Sequence, residues 1–265
     1  MQKIKAKKSL GQNFLHDENT LETIASFFDI VGENIVEVGP GYGALTEKLI
    51  LKKPQSLELV ELDRDMVQIL QEKVENKSFD IHNIDFILHH KDVLKFFPSK
   101  DNYIVIANIP YYITSPILRH FLYELENKPQ KMLILMQKEV AEKILEYRKG
   151  KSSVLSLMLA KKARAEGVID VPKEFFSPKP KVDSFVLAFY CEQRLPEIAD
   201  DVFLDFIKSS FSEPRKKLIN NLAKAGYNKE KILEILKNIG KDENVRAEDL
   251  SLEEYGEIIR EVICG

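Results

Sequence analysis

The chain has 265 residues, 44% of them hydrophobic and 31% charged, which is enough to bury a core in one large domain with a small one beside it. Lysine and arginine total 39 against 42 aspartates and glutamates, a formal net charge of −3, so overall charge does not announce a nucleic-acid partner and the clustering of basic residues must be read instead. No apolar run is long enough to cross a bilayer, and the lysine-rich start leads into Gly11-Gln12-Asn13 without an apolar segment and cleavage site. The two cysteines, Cys191 and Cys264, lie far apart without metal spacing. A membrane protein, a secreted disulfide scaffold and a zinc protein are therefore not expected. The expected location is the cytoplasm, with no metal and no membrane partner, and nothing points to an obligate oligomer, so a monomer is expected.

Taken in chain order, short β-branched runs alternate with stretches of helical periodicity. Asn34–Val38, Ser56–Val60, Ile84–His89, Tyr103–Ala107 and Met132–Met136 read as buried strands. Ala44–Lys52, Asp65–Asn76, Ser115–Glu126 and Lys138–Tyr147 read as the helices between them. The alternation predicts βαβ units: a mostly parallel α/β sheet with helices on both faces. Then the pattern changes. Gly167–Val171 and Val182–Tyr190 are strand-like but joined by a proline-rich loop with no helix, which predicts an antiparallel last pair. Beyond Pro196 the strands stop. Val202–Ser212, Pro214–Ala225, Lys229–Asn238 and Leu252–Val262 read as helices, with Gly226 and Gly240 as stops. A boundary within Cys191–Pro196 gives two expected domains, residues 1–193 and 194–265.

The first strand runs into a glycine-rich turn, Glu37-Val38-Gly39-Pro40-Gly41-Tyr42-Gly43, that opens a helix. Such a turn lets a ligand approach the backbone closely, though a tight strand-to-helix connection without a ligand uses the same residues. The spacing is G-x-G-x-G rather than the dinucleotide G-x-G-x-x-G. An acid two residues before the first glycine favours a cationic ligand over a pyrophosphate, and a sulfonium methyl donor, S-adenosyl-L-methionine, fits. Glu61 ends the second strand, where an acid can accept bonds from ribose hydroxyls, and Asp92 follows the third, where it could accept from an adenine amine. Each acid alone could be a surface charge; three at successive strand ends match the place where open α/β sheets bind ligands.

Asn108-Ile109-Pro110-Tyr111-Tyr112 follows the fourth strand. An adenine amine is a poor nucleophile because its lone pair is delocalised into the ring. If the Asn108 side-chain oxygen and the Pro110 carbonyl accept its hydrogens, the lone pair is freed and aimed, with the Tyr111 ring offering a face to stack on. A base inside a helix must be flipped out to reach such a pocket. One phenylalanine of Phe175-Phe176-Ser177-Pro178-Lys179-Pro180-Lys181 could close the other side, or the aromatics could plug the sheet edge. Basic groups gather at Lys3–Lys8, at Lys161, Lys162 and Arg164, at Lys173, Lys179 and Lys181, and at Arg215–Lys217. The five histidines show no ligand spacing.

These residues resemble the small-subunit (16S) ribosomal RNA adenine N6,N6-dimethyltransferases of the bacterial KsgA type. The resemblance runs nearly end to end: Lys8-Ser9-Leu10-Gly11-Gln12-Asn13-Phe14-Leu15, Glu37–Gly43, Asn108–Tyr111, Gln137-Lys138-Glu139-Val140, Phe176–Ser184, Arg215-Lys216-Lys217-Leu218 and Arg246-Ala247-Glu248. It departs at Lys149–Val154, where the family more often has Tyr-Gly-x-Leu-Ser. The resemblance implies a seven-stranded Rossmann-like methyltransferase domain and a helical domain that docks on the ribosomal particle. It implies a methyl-donor site at Asn13, Leu15, Gly39, Gly41, Glu61, Asp92 and Asn108, and an adenine held between Tyr111 and Phe176. The implied substrate is a pair of adjacent adenosines in the 3′-terminal hairpin loop of 16S rRNA within the small subunit, with Lys5, Lys7, Lys8, Arg215, Lys216 and Lys217 as phosphate contacts. Rival readings are a 23S rRNA adenine methyltransferase of the antibiotic-resistance type, a DNA adenine methyltransferase, and a non-catalytic assembly factor on the same scaffold.

Overall fold

A computed structural model describes Lys7 and residues 11–264. The chain opens with a two-residue strand, β1 (Phe14–Leu15), and helix α1 (Glu18–Phe27), whose first turn is capped by the Asp17 carboxylate accepting from the Thr20 amide at 2.8 Å. Strand and helix then alternate: β2 (Asn34–Val38), α2 (Ala44–Leu51), β3 (Ser56–Glu61), α3 (Arg64–Glu75), β4 (Asp85–His90), β5 (Ile104–Asn108), α4 (Thr114–Arg119), β6 (Lys131–Gln137) and α5 (Lys138–Glu146). There follow α6 (Val154–Lys162), β7 (Ala163–Val171), the short β8 (Phe176–Ser177), β9 (Ser184–Cys191), and helices α7 (Asp200–Ser210), α8 (Leu218–Lys224), α9 (Lys229–Asn238) and α10 (Leu252–Cys264).

Seven strands form one sheet in the order β4-β3-β2-β5-β6-β9-β7. The pairings from β4 through β6 are parallel, and β9 runs antiparallel to β6, with Met132 opposite Phe189 and Gln137 opposite Ser184. The expected α/β sheet with its antiparallel strand is present. Inner strands are mostly apolar because helices cover both faces, and Leu57, Leu59, Ile104, Ile106, Leu133 and Leu135 are buried in one cluster, while β2 and β3 also bury Glu37 and Glu58. A separate two-stranded ladder pairs Leu15 with Phe176 and Phe14 with Ser177.

Three local expectations change. Ser115–Glu126 is not one helix: α4 passes into a π-helical turn at His120–Glu124, where buried His120 meets the Phe96 carbonyl through Nε2 at 3.0 Å. The helix expected from Pro214 starts at Leu218, after turn residues. Helix α6, unexpected from the sequence, is buried from Ser156 to Lys162 and so lacks an amphipathic signature; a reciprocal Ser153–Ser156 capping box starts it.

The described residues form two compact units, one of residues up to 141 with 166–191 and one of residues 142–165 with those from 192 onward. A single cut at 193 misses that the second unit takes α6 and its flanks from between the sheet strands. In that unit Asp200 bridges Lys161 and Lys162, each at 2.6 Å. These two lysines, expected among the exposed basic clusters, are buried instead.

Candidate active site

The strand order reverses at β2, with β3 on one side and β5 on the other, and a parallel sheet opens a crevice at that switch. The cleft there has a volume of about 1080 Å³ including its open mouth, and its walls are the turns after β2, β3, β4 and β5 with the segment around Asn13 and the Phe176 side chain. Asn13, Leu15, Gly39, Gly41, Glu61, Asp92, Asn108, Pro110, Tyr111 and Phe176 all line it. Lys91 is the one basic lining residue among the described residues, against the carboxyls of Glu37, Glu61 and Asp92.

The glycine turn is threaded tightly. Gly41 has φ of +57°, and a Cβ there would stand 2.9 Å from the Phe14 ring. Phe14 in turn lies against Tyr42, ring centroids 3.9 Å apart. Glu61 holds the turn from the other side. Its Oε2 accepts from the Gly41 amide at 3.1 Å, and its Oε1 accepts from Leu62 and Asp63 amides, both at 2.8 Å. Burial raises the Glu61 carboxyl above the usual range while the three amides oppose the rise. A carboxylate has about four lone-pair positions, so capacity for ligand hydroxyls is left over.

Glu37 departs from the sequence expectation. It is 1% exposed, and its Oε2 accepts from Thr46 Oγ1 at 2.7 Å. Burial pushes its carboxyl up to about 8; the Thr46 bond opposes this and the neighbouring Glu61 adds to it. At neutral pH the group therefore carries mainly a proton, and its negative charge is latent rather than standing. Asp92 spends Oδ1 on the Leu94 amide at 3.0 Å, capping a short 3₁₀ turn. Asn13 Nδ2 donates to the Gly11 carbonyl at 3.1 Å.

On the acceptor side, β5 delivers Asn108 half-buried at its last position. Among the described residues no protein group bonds its side-chain amide. The Pro110 carbonyl accepts from the Ile113 amide at 3.2 Å and keeps a second lone pair. The Tyr111 hydroxyl lies 2.7 Å from Ser184 Oγ, and burial raises its phenol. Phe176 is 3% exposed, built into the core and the β1–β8 ladder, so it floors the cleft rather than standing free. Tyr112, which also lines the cleft, is 63% exposed.

The sequence reading missed a latch on the amino-terminal segment. Asp63 caps α3 and also accepts from Gln12 Nε2 at 2.8 Å and from Lys7, which pairs with Asp65 as well. In the sequence Asp63 looks only like a helix cap. Lys7, one of the expected phosphate contacts, is thus engaged by two carboxylates; Lys5 and Lys8 fall outside the described residues. Arg215 and Lys216 are exposed with no ion pair among the described residues, and Lys217 meets Glu243 at 3.5 Å.

The family model described as ribosomal RNA adenine dimethylase matches residues 3–263. The chain belongs to that family. It is an rRNA adenine dimethyltransferase with a Rossmann-like methyltransferase domain. Among relatives, "ribosomal RNA small subunit methyltransferase A" of Mycoplasma mobile is 41% identical over 253 residues, covering 94% of this chain and 95% of that protein. The protein of that description from Fusobacterium nucleatum is 36% identical over 270 residues, covering 97% of each. Two solved structures share the fold. A dimethyladenosine transferase from Plasmodium falciparum has a TM-score of 0.77 at 21% identity, covering 92% of this chain and 95% of its own. The 23S rRNA methyltransferase ErmE has a TM-score of 0.74 at 23% identity, covering 94% and 99%.

Proposed function

We propose that this dimethyltransferase acts on two adjacent adenosines in the 3′-terminal hairpin loop of 16S rRNA within the small ribosomal subunit, with S-adenosyl-L-methionine as donor. The observation that carries the reading is the Asn108 amide at the end of β5, unpaired among the described residues, in an acid-lined cleft that Pro110 and Tyr111 also line. The relatives described as small-subunit methyltransferases, at 36–41% identity, support the choice of subunit.

The cleft suits a cationic donor. Among the described residues it is lined by the Glu61 and Asp92 carboxyls, by Glu37, whose charged form a cation would favour, and by one lysine, Lys91, an unfavourable setting for a pyrophosphate. Gly39, Gly41, Asn13 and Leu15 would hold the amino-acid end, Glu61 the ribose and Asp92 the adenine of the donor. When bound, S-adenosyl-L-methionine supplies a methyl group on sulfonium sulfur, already activated for displacement.

The protein's task is then to present an amine lone pair. The Asn108 side-chain oxygen and the Pro110 carbonyl accept the two amine hydrogens and hold the nitrogen with its lone pair toward the donor. Tyr111 stacks on one face of the flipped base and Phe176 bounds the other. After one methylation a single N–H remains, so one oxygen falls idle and the aromatic walls carry more of the positioning.

The test is transfer of labelled methyl groups to undermethylated small subunits by the wild-type chain and by Asn108→Ala. Dimethyladenosine at two neighbouring hairpin adenosines, lost in the variant, is the expected result. Incorporation into large-subunit RNA or DNA instead would overturn the substrate, and undiminished transfer by the variant would overturn the role of Asn108.

A further inference from the structure

Tyr111 follows β5, and Phe176 opens β8 in the connection between β7 and β9, so nothing in the covalent chain fixes the distance between the two rings. Both segments are nevertheless tied to one dipeptide, Asp183-Ser184, where β9 begins. Ser184 is fully buried, and its Oγ lies 2.7 Å from the Tyr111 hydroxyl. Asp183 Oδ1 accepts from the Lys173 amide at 3.0 Å, at the start of the 3₁₀ turn Lys173–Phe175 that leads directly into Phe176. The dipeptide is itself pinned. The Asp183 carbonyl accepts from the Lys138 amide at 3.0 Å, and Ser184 sits opposite Gln137 in the β6–β9 ladder.

We propose that Asp183 and Ser184 are positioning residues that set the spacing of the acceptor slot: Ser184 orients the Tyr111 ring, and Asp183 fixes the loop that carries Phe176. The proposal rests on the reading of Tyr111 and Phe176 as walls of that slot. A stacked base tolerates little change in ring tilt, and the phenol tether restrains the Tyr111 ring from its far end, where packing alone would leave it free to rock. A buried phenol needs a partner in any case. A serine that merely satisfied it would alter stability and leave the slot unmoved, and this separates the two roles.

The measurement compares wild type, Ser184→Ala, Tyr111→Phe and the double variant for kcat and KM on undermethylated subunits and for donor Kd by calorimetry. Loss of one hydrogen bond at the slot should lower kcat/KM for the RNA by about five- to tenfold in each single variant. Donor Kd should stay within about twofold, because these residues lie on the acceptor side. The double variant should be no worse than either single one, since both delete the same bond. Asp183→Ala should act likewise, and Asp183→Asn, which keeps an acceptor oxygen, should restore activity. Aromatic NMR relaxation of labelled Tyr111 reads the tether without substrate, and its ring should become more mobile in Ser184→Ala. An unaltered ring, unaltered transfer by Ser184→Ala, or singles whose effects multiply would overturn the proposal. A wild-type chain that methylates no adenine would overturn the functional reading beneath it, and is seen before any variant is compared.

Discussion

The Gly41 amide donates to Oε2 of Glu61 at 3.1 Å, so the glycine turn after β2 and the acid ending β3 fix one another before any ligand arrives. Glu61 is a scaffold for the turn and, in the proposed site, the contact to the donor ribose. Replacing it with alanine leaves the Gly41, Leu62 and Asp63 amides without their acceptor and removes the proposed ribose partner. Donor affinity should fall roughly 10- to 100-fold, the worth of one or more bonds to a charged group. Glu61→Gln should fall between, because its oxygen can serve Leu62 and Asp63 while its NH2 then confronts Gly41. Calorimetric titration of both variants checks this, and alanine binding the donor like wild type would remove Glu61 from the site.

Glu37 makes the site pH-dependent. The folded chain keeps a proton that the unfolded chain, with a carboxyl near 4.5, releases, because burial pushes the folded group up to about 8. The stability this proton provides is complete below about 4.5 and is lost as pH rises through about 8, at up to about 1.4 kcal/mol per pH unit between those limits. Melting temperatures between pH 6 and 9 should decline in the ligand-free wild type and flatten in Glu37→Gln. A cationic donor favours the carboxylate, so donor binding near pH 7 should release protons. Calorimetry in buffers of different ionisation enthalpy would read that release, and Glu37→Gln should abolish it.

Two glycines of one turn should fail differently. Gly43 has φ of +83°, and a Cβ there would lie 2.5 Å from Phe79 and 2.9 Å from Leu70, both core side chains. Gly43→Ala should therefore cost the fold about 2–4 kcal/mol through strain and overpacking. At Gly41 the obstacle is the Phe14 ring, which is only half-buried and can swing toward the cleft. Gly41→Ala should melt closer to wild type but lose more donor affinity. Thermal melts paired with donor titrations separate the two.

The sheet was legible because short β-branched and apolar runs, continuous in β5 and β6, alternate with helical stretches, and acids at successive strand ends pointed to the cleft. What was hidden has physical causes. Strands β1 and β8 are two residues long, too short for any period, and α6 is buried nearly all round. Lys161 and Lys162 read as a basic cluster because Asp200, which neutralises them, lies far along the sequence. Ser184 stood inside a recognised segment, but its role depends on Tyr111, distant in the chain, and no local pattern encodes that pairing. The charge of Glu37 could be read; its protonation, set by burial, could not.

Asp200 is the hinge of the second unit's stability. Burial would raise its carboxyl, but hydrogen bonds from Lys161 and Lys162 outweigh that and hold it below the usual range. Asp200→Ala takes the carboxylate away from two buried ammonium groups, leaving Lys162 with the Gln193 side-chain oxygen at 2.6 Å and Lys161 without its ion-pair partner. Removing one partner of a fully buried pair costs about 3–5 kcal/mol, and with Asp200 itself 36% exposed a loss of about 2–4 kcal/mol is expected. Urea unfolding should show it. Adding Lys161→Met to Asp200→Ala should recover part of the loss, because one uncompensated charge is gone. A double variant no more stable than the single would mean that packing, not charge, governs the site.

Arg215 and Lys216 are the strongest candidates for the proposed phosphate contacts, because the other expected basic residues are paired or lie outside the described residues. Lys7 is held by Asp63 and Asp65, and Lys217 is shared with Glu243, whereas Arg215 and Lys216 are exposed without ion pairs among the described residues. Binding a phosphate releases counterions, so its signature is the salt dependence of affinity rather than affinity at one salt concentration. Arg215→Ala with Lys216→Ala should flatten the slope of log K against log salt by about 0.7–0.9 for each phosphate no longer neutralised, with melting temperature and donor Kd unchanged. Weaker binding with an unchanged slope would assign the pair to shape rather than charge. Lys217→Ala should change the slope less, because Glu243 already neutralises part of its charge before RNA arrives.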